Sequence, residues 1–350
     1  MEILKNNERS QIKSRTGVEY YKVSPGVWGM KIVFVNIYIV ASDTGQDGSW
    51  VLIDAGLKGS ADRIIKMAED IFGKGARPSS IILTHGHFDH VGAVKELLKV
   101  WTVPVYAHYL ELPYLKGISS YPPPDPMVGG GLMSLLSFTF PKKASDLGVR
   151  VRRIAANGIV PDLPDWQLIH TPGHSPGQIA LFRESDRTLI SADAFVTTKQ
   201  ESVFSVMTQK HVLSGPPKYF TIDWDAAKSS VQKLLALNPL VAASGHGYPM
   251  YGEELSLSLN YLVNNFEKEA VPKYGRYVKE PARANKNGVQ YVPKRVNNPE
   301  LIAATAIIAA LTAIAIIYRL NGRKPIKNQL SVSYLAKKIL NPVKAILQPS

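Results

Sequence analysis

Four side chains able to bind a metal fall within six residues in Thr84-His85-Gly86-His87-Phe88-Asp89-His90, directly after the apolar run 80–83. Imidazole nitrogen and carboxylate oxygen are the donors a borderline cation such as zinc takes when no thiolate is at hand. None is at hand here: the chain has 350 residues and no cysteine, which also excludes disulfides and a cysteine nucleophile. On a strand His85 and His87 point the same way. A turn after them brings Asp89 and His90 to a neighbouring point. A single histidine is usually a packed or surface residue, but that reading does not accommodate four candidate ligands at this density.

Three more candidates each follow a predicted strand. His174 lies in HTPGHSPG (170–177), Asp193 in SADA (191–194) and His246 in SGHG (244–247). Turns at one end of a sheet share one edge, so side chains far apart in sequence converge there. The neighbouring Gly and Pro residues let the backbone aim them. The remaining histidines carry weaker arguments. His170 reads as strand-end packing, His108 as a cap or surface group, and His211 carries no argument. Tyr219 and Tyr248 read as aromatic packing.

The elements that must position these groups form one α/β unit over residues 17–270. Strands are predicted at 19–23, 32–40, 50–53, 80–83, 103–106, 166–169, 178–182, 188–191 and 240–243. Helices are predicted at 61–72, 91–100, 223–237 and 253–269. The segment YPPPDPMVGGG (121–131) joins a stiff proline run to a flexible glycine run. With Leu132, Met133, Leu135, Leu136 and Phe138 it suggests an apolar wall or lid. Residues 271–299, rich in Lys, Arg, Asn, Pro and Gly, read as a linker.

The net charge is +13. Residues 300–350 hold seven Lys and Arg against Glu300 alone, so nearly half of the excess lies in this tail. The tail opens with 18 uncharged, largely apolar residues, 301–318. As a helix they span about 27 Å, enough for a thin bilayer core. Basic residues follow, and residues 326–347 suit an interfacial amphipathic helix. The expectation is a transmembrane or interfacial helix, with an anionic membrane surface as the partner of residues 300–350. No apolar signal region is seen in residues 1–15, so a cytoplasmic catalytic domain is expected. The rest of the chain is only mildly basic and has no aromatic-interleaved basic stripe, so a nucleic-acid partner is not expected.

HGHFDH, TPGHSPG, SADA and SGHG, in this order, resemble the metal-binding motifs of the metallo-β-lactamase superfamily. Ile53-Asp54-Ala55-Gly56 resembles its D-x-G element, and Val35-Asn36-Ile37-Tyr38 its early strand. The likeness covers residues 17–265. It implies an α/β fold, a four-layer αββα sandwich, with a dinuclear centre between the sheets. By the resemblance, His85, His87 and His174 hold a first metal, Asp89, His90 and His246 a second, and Asp193 bridges them. Asp54 stands behind the ligands, accepting a hydrogen bond from a histidine or setting the turn.

Two divalent ions, zinc by preference and iron or manganese otherwise, supply a metal-bridging hydroxide and polarise the scissile group. Asp89 orients the nucleophile and accepts its proton. The implied enzyme is a hydrolase of a small or lipophilic ester, thioester or lactone. True β-lactamases of the superfamily usually lack the bridging aspartate, so Asp193 argues against that activity. The ligand set resembles glyoxalase-II-like thioesterases and lactonases. Quorum-quenching lactonases place a tyrosine soon after the bridging aspartate, where this chain has Ala194, Phe195 and Val196. A phosphodiesterase or nuclease on the same fold and a mono-iron sulfur dioxygenase are the alternatives.

Overall fold

Residues 11–13, 17–42, 49–142, 146–155, 158–305, 311–312 and 315 are described in a computed structural model of the chain. One sheet runs in chain order through β1 (Gln11–Lys13), β2 (Glu19–Ser24), β3 (Val27–Ile32), β4 (Val35–Ala41), β5 (Trp50–Ile53), β6 (Ser80–Ile82), β7 (Val105–Ala107) and β8 (Val151–Arg153). It is antiparallel as far as β5 and parallel from β5 to β8. A second sheet contains β9 (Ile159–Val160), β10 (Leu163–His170), β11 (Ile179–Arg183), β12 (Thr188–Ala192), β13 (Val241–Ser244) and β14 (Met250–Tyr251), in the order β14-β13-β12-β11-β10-β9. Only β12 and β13 pair in parallel in it. The described helices are α1 (Ala61–Phe72), α2 (Phe88–Val91), α3 (Val94–Val100), α4 (Leu112–Leu115), α5 (Leu132–Leu136), α6 (Val203–Thr208), α7 (Trp224–Ala236), α8 (Gly252–Asn264) and α9 (Phe266–Glu269).

Alternation along the strands builds the layers. On β4, Val35, Ile37 and Ile39 join a core with Ile64, Met67 and Ala68 of α1 and Leu97 of α3. Tyr38 and Val40 join a different core, shared with Leu163, Trp166, Ile179 and Leu181 of the second sheet. On β11, Ala180 and Phe182 pack instead with Val231 and Leu234 of α7 and Leu255 and Leu259 of α8. Three apolar cores thus separate helix, sheet, sheet and helix. This is the expected αββα sandwich.

Three local expectations are corrected. The run 32–40 is not one strand: the chain turns at Val33, whose φ is +60°, so β3 and β4 form a hairpin. The turn residues Val33 and Phe34 carry none of the usual turn chemistry, which hid it. The helix expected at 253–269 breaks at Asn265 into α8 and α9. Residues 271–299 are not a free linker but a strap tied across the domain. Tyr277 and Ala282 are buried in the α7–α8 core. Within the strap, β15 (Arg283–Asn285) and β16 (Gly288–Tyr291) pair as a hairpin. Tyr277 Oη donates to Pro123 O (2.6 Å), Val289 N to Ser119 Oγ (3.1 Å) and Asn298 Nδ2 to Met127 O (2.9 Å). Polar composition suggested a linker because side-chain-to-backbone bonds, rather than apolar burial alone, hold the segment.

Residues 299–305 are helical, and Asn298 caps them, its Oδ1 accepting from Leu301 N at 3.0 Å. Among the described residues no helix is long and apolar enough to cross a membrane. Apart from 299–305, 311–312 and 315, the expected membrane helix and basic tail lie outside the described residues.

Candidate metal centre

Every expected ligand lies beyond the end of a strand, in the loop that follows it or, for Asp89 and His90, on the helix after that loop. β6 stops at Ile82, and residues 83–87 continue as a loop into α2, with His87 at the helix N-cap position. His85 and His87 therefore lie on a loop and not on a strand, contrary to the sequence reading. The turn aims them, and the first turn of α2 presents Asp89 and His90. His174 follows β10, Asp193 follows β12 and His246 follows β13. Ala192 has φ +47°, a costly conformation for a residue with a Cβ, and it turns Asp193 out of the strand. Gly245 is required beside it, because a Cβ there meets Asp193 Oδ1.

All seven side chains are buried, none more than 5% exposed. Three trios have donor atoms within 4.8 Å of one another: His85, His87 and His174; Asp89, His90 and His246; and His85, His90 and Asp193. The third trio spans the first two. Asp193 Oδ2 lies 3.0 Å from His246 Nε2, 3.4 Å from His174 Nε2 and 3.6 Å from His90 Nε2. His87 Nδ1 is 3.0 Å from His174 Nε2. Asp89 Oδ2 is 3.7 Å from His246 Nε2 and 4.0 Å from His90 Nε2.

The donors fit divalent cations. His85 Nε2 and Asp193 Oδ1 are buried with no hydrogen-bond partner among the described residues. Such atoms are costly to bury unless something binds them. Burial first, and neighbouring imidazoles next, hold His85 and His87 well below the ordinary histidine range. Burial likewise pushes His174 down to about 4, against the pull of Asp193. These three rings are neutral, the form that ligates. Burial also disfavours charge on His90 and His246, but Asp193 outweighs it with help from Asp89, and from Asp54 for His90. Both rings are raised. Asp193, though buried, is held well below the carboxylate range by His246 and His90.

A surrounding set of groups fixes the ligands. Asp54, itself at φ +60°, accepts from His90 Nδ1 (2.8 Å), Thr84 N (2.8 Å) and Thr84 Oγ1 (2.7 Å). It thus both orients a histidine and sets the turn. His246 Nδ1 donates to Phe34 O at 2.7 Å, which gives the unforeseen β3–β4 turn a role. From β4, Asn36 Nδ2 donates to Ser244 O and Gly247 O, and Tyr38 Oη to Ser244 O. These bonds tie the His246 loop of one sheet to the other.

Sequence reasoning missed Glu111, Tyr121 and Phe220. Glu111 is fully buried. Its carboxylate accepts from Gly86 N (3.0 Å), Gly177 N (2.7 Å), Ser175 Oγ (3.0 Å) and Tyr121 Oη. It clamps the loop of His85 and His87 to the loop of His174. The one available signal was an acid set among Leu110, Leu112 and Pro113. The Phe220 ring stacks on His87 with centroids 4.5 Å apart. It belongs to an apolar cluster with Val128, Tyr219, Phe88, Met133 and Phe140, so Val128 and Met133 of the expected wall do stand beside the site, whereas Leu132, Leu136 and Phe138 are exposed. His170 braces the His174 loop by donating to Pro176 O (2.9 Å), and His108 stacks on it at 4.3 Å. Tyr248 packs edge-on against Tyr21, and His211 contacts Glu254 outside the site.

A family model described as "Metallo-beta-lactamase superfamily" matches residues 30–246. The chain is 42% identical over 255 residues to the probable metallo-hydrolase YflN of Bacillus subtilis (strain 168), across 73% of this chain and 95% of that protein. It is 30% identical over 227 residues to the probable metallo-hydrolase YybB of the same organism, across 62% of this chain and 84% of that one. A solved structure, TTHA1623 in a di-iron-bound form, aligns with 68% of this chain and 98% of its own at 26% identity, TM-score 0.45. With the buried histidine–aspartate cluster at the strand ends, the profile match and the YflN likeness lead to one conclusion: this chain belongs to the metallo-β-lactamase superfamily and is a metal-dependent hydrolase.

Proposed function

We propose that the centre is dinuclear and that the enzyme hydrolyses a small or lipophilic ester, thioester or lactone. In this reading His85, His87 and His174 hold one ion, Asp89, His90 and His246 the other, and Asp193 joins them, as in glyoxalase-II-like enzymes. The position of Asp193 Oδ2, within 3.6 Å of nitrogens from both groups, is the observation that carries it. Divalent ions held there, zinc by preference, would supply Lewis-acid chemistry, making water a nucleophile near neutral pH and polarising the scissile carbonyl.

The chain's own residues do the rest. Asp89 orients the nucleophile and takes its proton; burial raises its pKa, partly offset by His90 and His246, which suits a carboxylate that must be protonated in turn. Asp54 keeps the Nδ1 of His90 occupied, so that Nε2 faces the centre. Phe220, Phe140 and Phe88 supply an apolar wall beside His87, which excludes water and favours a substrate with an apolar part. Metal analysis with a panel of esters, thioesters, lactones and phosphodiesters tests the reading. Two ions per chain and chelator-sensitive turnover of a carbonyl substrate are expected. One iron per chain, or turnover of the phosphodiesters alone, overturns it.

The basic tail supports a further part of the proposal, that residues 300–350 meet an anionic membrane surface. Its seven cations against Glu300 and its uncharged opening run favour that partner over nucleic acid.

A further inference from the structure

A cavity of about 170 Å3 lies apart from the seven ligands, between the proline run of the site's wall and the strap. Pro123, Pro124, Asp125 and Pro126 form one side, Phe138 and Lys142 another, and Arg276 and Arg295 of the strap the third. Its volume is several times the ~30 Å3 a water takes in the liquid.

The charge of its lining is unbalanced. Asp125 is the one acid, it is 1% exposed, and its carboxylate is already engaged: Oδ1 accepts from Met127 N (3.0 Å) and Oδ2 from Arg276 N. Neither Lys142 nor Arg295 has an ion-pair partner among the described residues. Arg276 donates Nη1 to Pro293 O (3.0 Å), while its Nε is buried without a hydrogen-bond partner. Lys142 and Arg295 are exposed and Arg276 is half-buried, so the lining offers three cations against one engaged carboxylate. An oxyanion between them gains charge-assisted hydrogen bonds from the Lys142 ammonium and the guanidinium groups.

We propose that this cavity binds a phosphate-type oxyanion, carried by the substrate or by a lipid headgroup. A short run of contacts leads from the cavity to the wall of the metal centre. Asp125 N donates to Tyr219 O at 2.8 Å, and the next residue, Phe220, stacks on His87. The strap beyond Arg295 passes within three residues to Asn298, the cap of the apolar tail. The site is therefore placed to sense either a substrate's distal phosphate or the membrane at which the tail begins. The substrate arm rests on the hydrolase reading; the binding itself does not.

Calorimetric titration of the full-length, metal-loaded protein with inorganic phosphate is the first test. A Lys142→Ala/Arg295→Ala variant is expected to weaken binding at least tenfold while keeping metal content and thermal unfolding unchanged. A His87→Ala variant is expected to retain the binding, which separates the cavity from the metal centre. Undiminished binding in the double variant, or loss in His87→Ala alone, overturns the proposal. Two arms then separate the sources. Variant-dependent loss of binding to phosphatidylglycerol vesicles, relative to phosphatidylcholine, assigns the oxyanion to lipid. A tenfold higher KM at unchanged kcat for an ester bearing a distal phosphate, with its neutral analogue unaffected, assigns it to substrate. The absence of variant dependence in both arms also overturns it. Failure of the hydrolase reading shows as absent turnover with phosphate binding intact.

Discussion

At the residue scale, seven buried candidate ligands are held by a smaller number of groups that stand behind them. Asp89 is set apart from the other ligands by its assigned proton transfer. An Asp89→Asn variant is expected to lose about 10²–10⁴ in kcat, the usual worth of a positioned general base. Its unfolding transition should match the parent, which circular dichroism against temperature checks. Glu111 makes a different prediction. It is not among the candidate ligands, but it holds Gly86 between His85 and His87, and Ser175 next to His174. Removing the carboxylate in Glu111→Ala is expected to lower metal affinity about 10–100-fold, as the loss of a ligand-orienting partner does. Glu111→Gln, which keeps one acceptor oxygen, should recover part of it. Competition with a chromogenic chelator reads both, and equal affinity in all three proteins would remove Glu111 from the site.

At the scale of elements, the ends of β6, β10, β12 and β13 carry the chemistry, and contacts between loops set its geometry. His108, after β7, stacks on His170 at the end of β10. Burial first, and His170 second, push His108 down from 6.5 to about 4. Below about pH 6.5 the unfolded chain takes up a proton that the folded chain refuses until about pH 4. Stability is therefore present above that window and is lost as pH falls through it. A His108→Gln variant should show a flatter decline between pH 6.5 and 4 in urea denaturation. A slope identical to the parent's would show that this ring does not matter to acid stability.

At the scale of the whole molecule, the catalytic unit extends past residue 270 because the strap completes the α7–α8 core and pins the wall of the site. A chain ending after residue 299 is expected to fold and unfold cooperatively near the parent's midpoint. One ending after residue 270 loses Tyr277 and Ala282 from that core and the bonds to Pro123 and Met127. It should be destabilised by several kcal/mol, since large-to-nothing deletions in cores cost ~3–5 kcal/mol per aromatic side chain. Paired thermal melts decide the matter. The cut after residue 299 should also release the protein from anionic vesicles in a flotation assay.

The convergence of the seven histidine and aspartate side chains and the layered α/β fold were both legible in the sequence, for a physical reason. Metal ligation demands particular atoms, few residue types supply them, and strand ends flanked by Gly and Pro advertise themselves in short motifs. Asp54 was legible by the same route. Glu111, Phe220 and the β3–β4 turn were not, because their roles depend on partners 25 to more than 200 residues away. A buried acid, a ring or a two-residue turn looks alike in a sequence whether or not a ligand stands against it. The strap was misread for the same reason, its hydrogen bonds having no pattern of their own along the chain. Local chemistry, then, was determined by the sequence alone: which side chains can bind metal, and which strand ends they follow. The tertiary structure alone decided what holds those atoms at bonding distance, because orientation comes from long-range contacts that only packing creates.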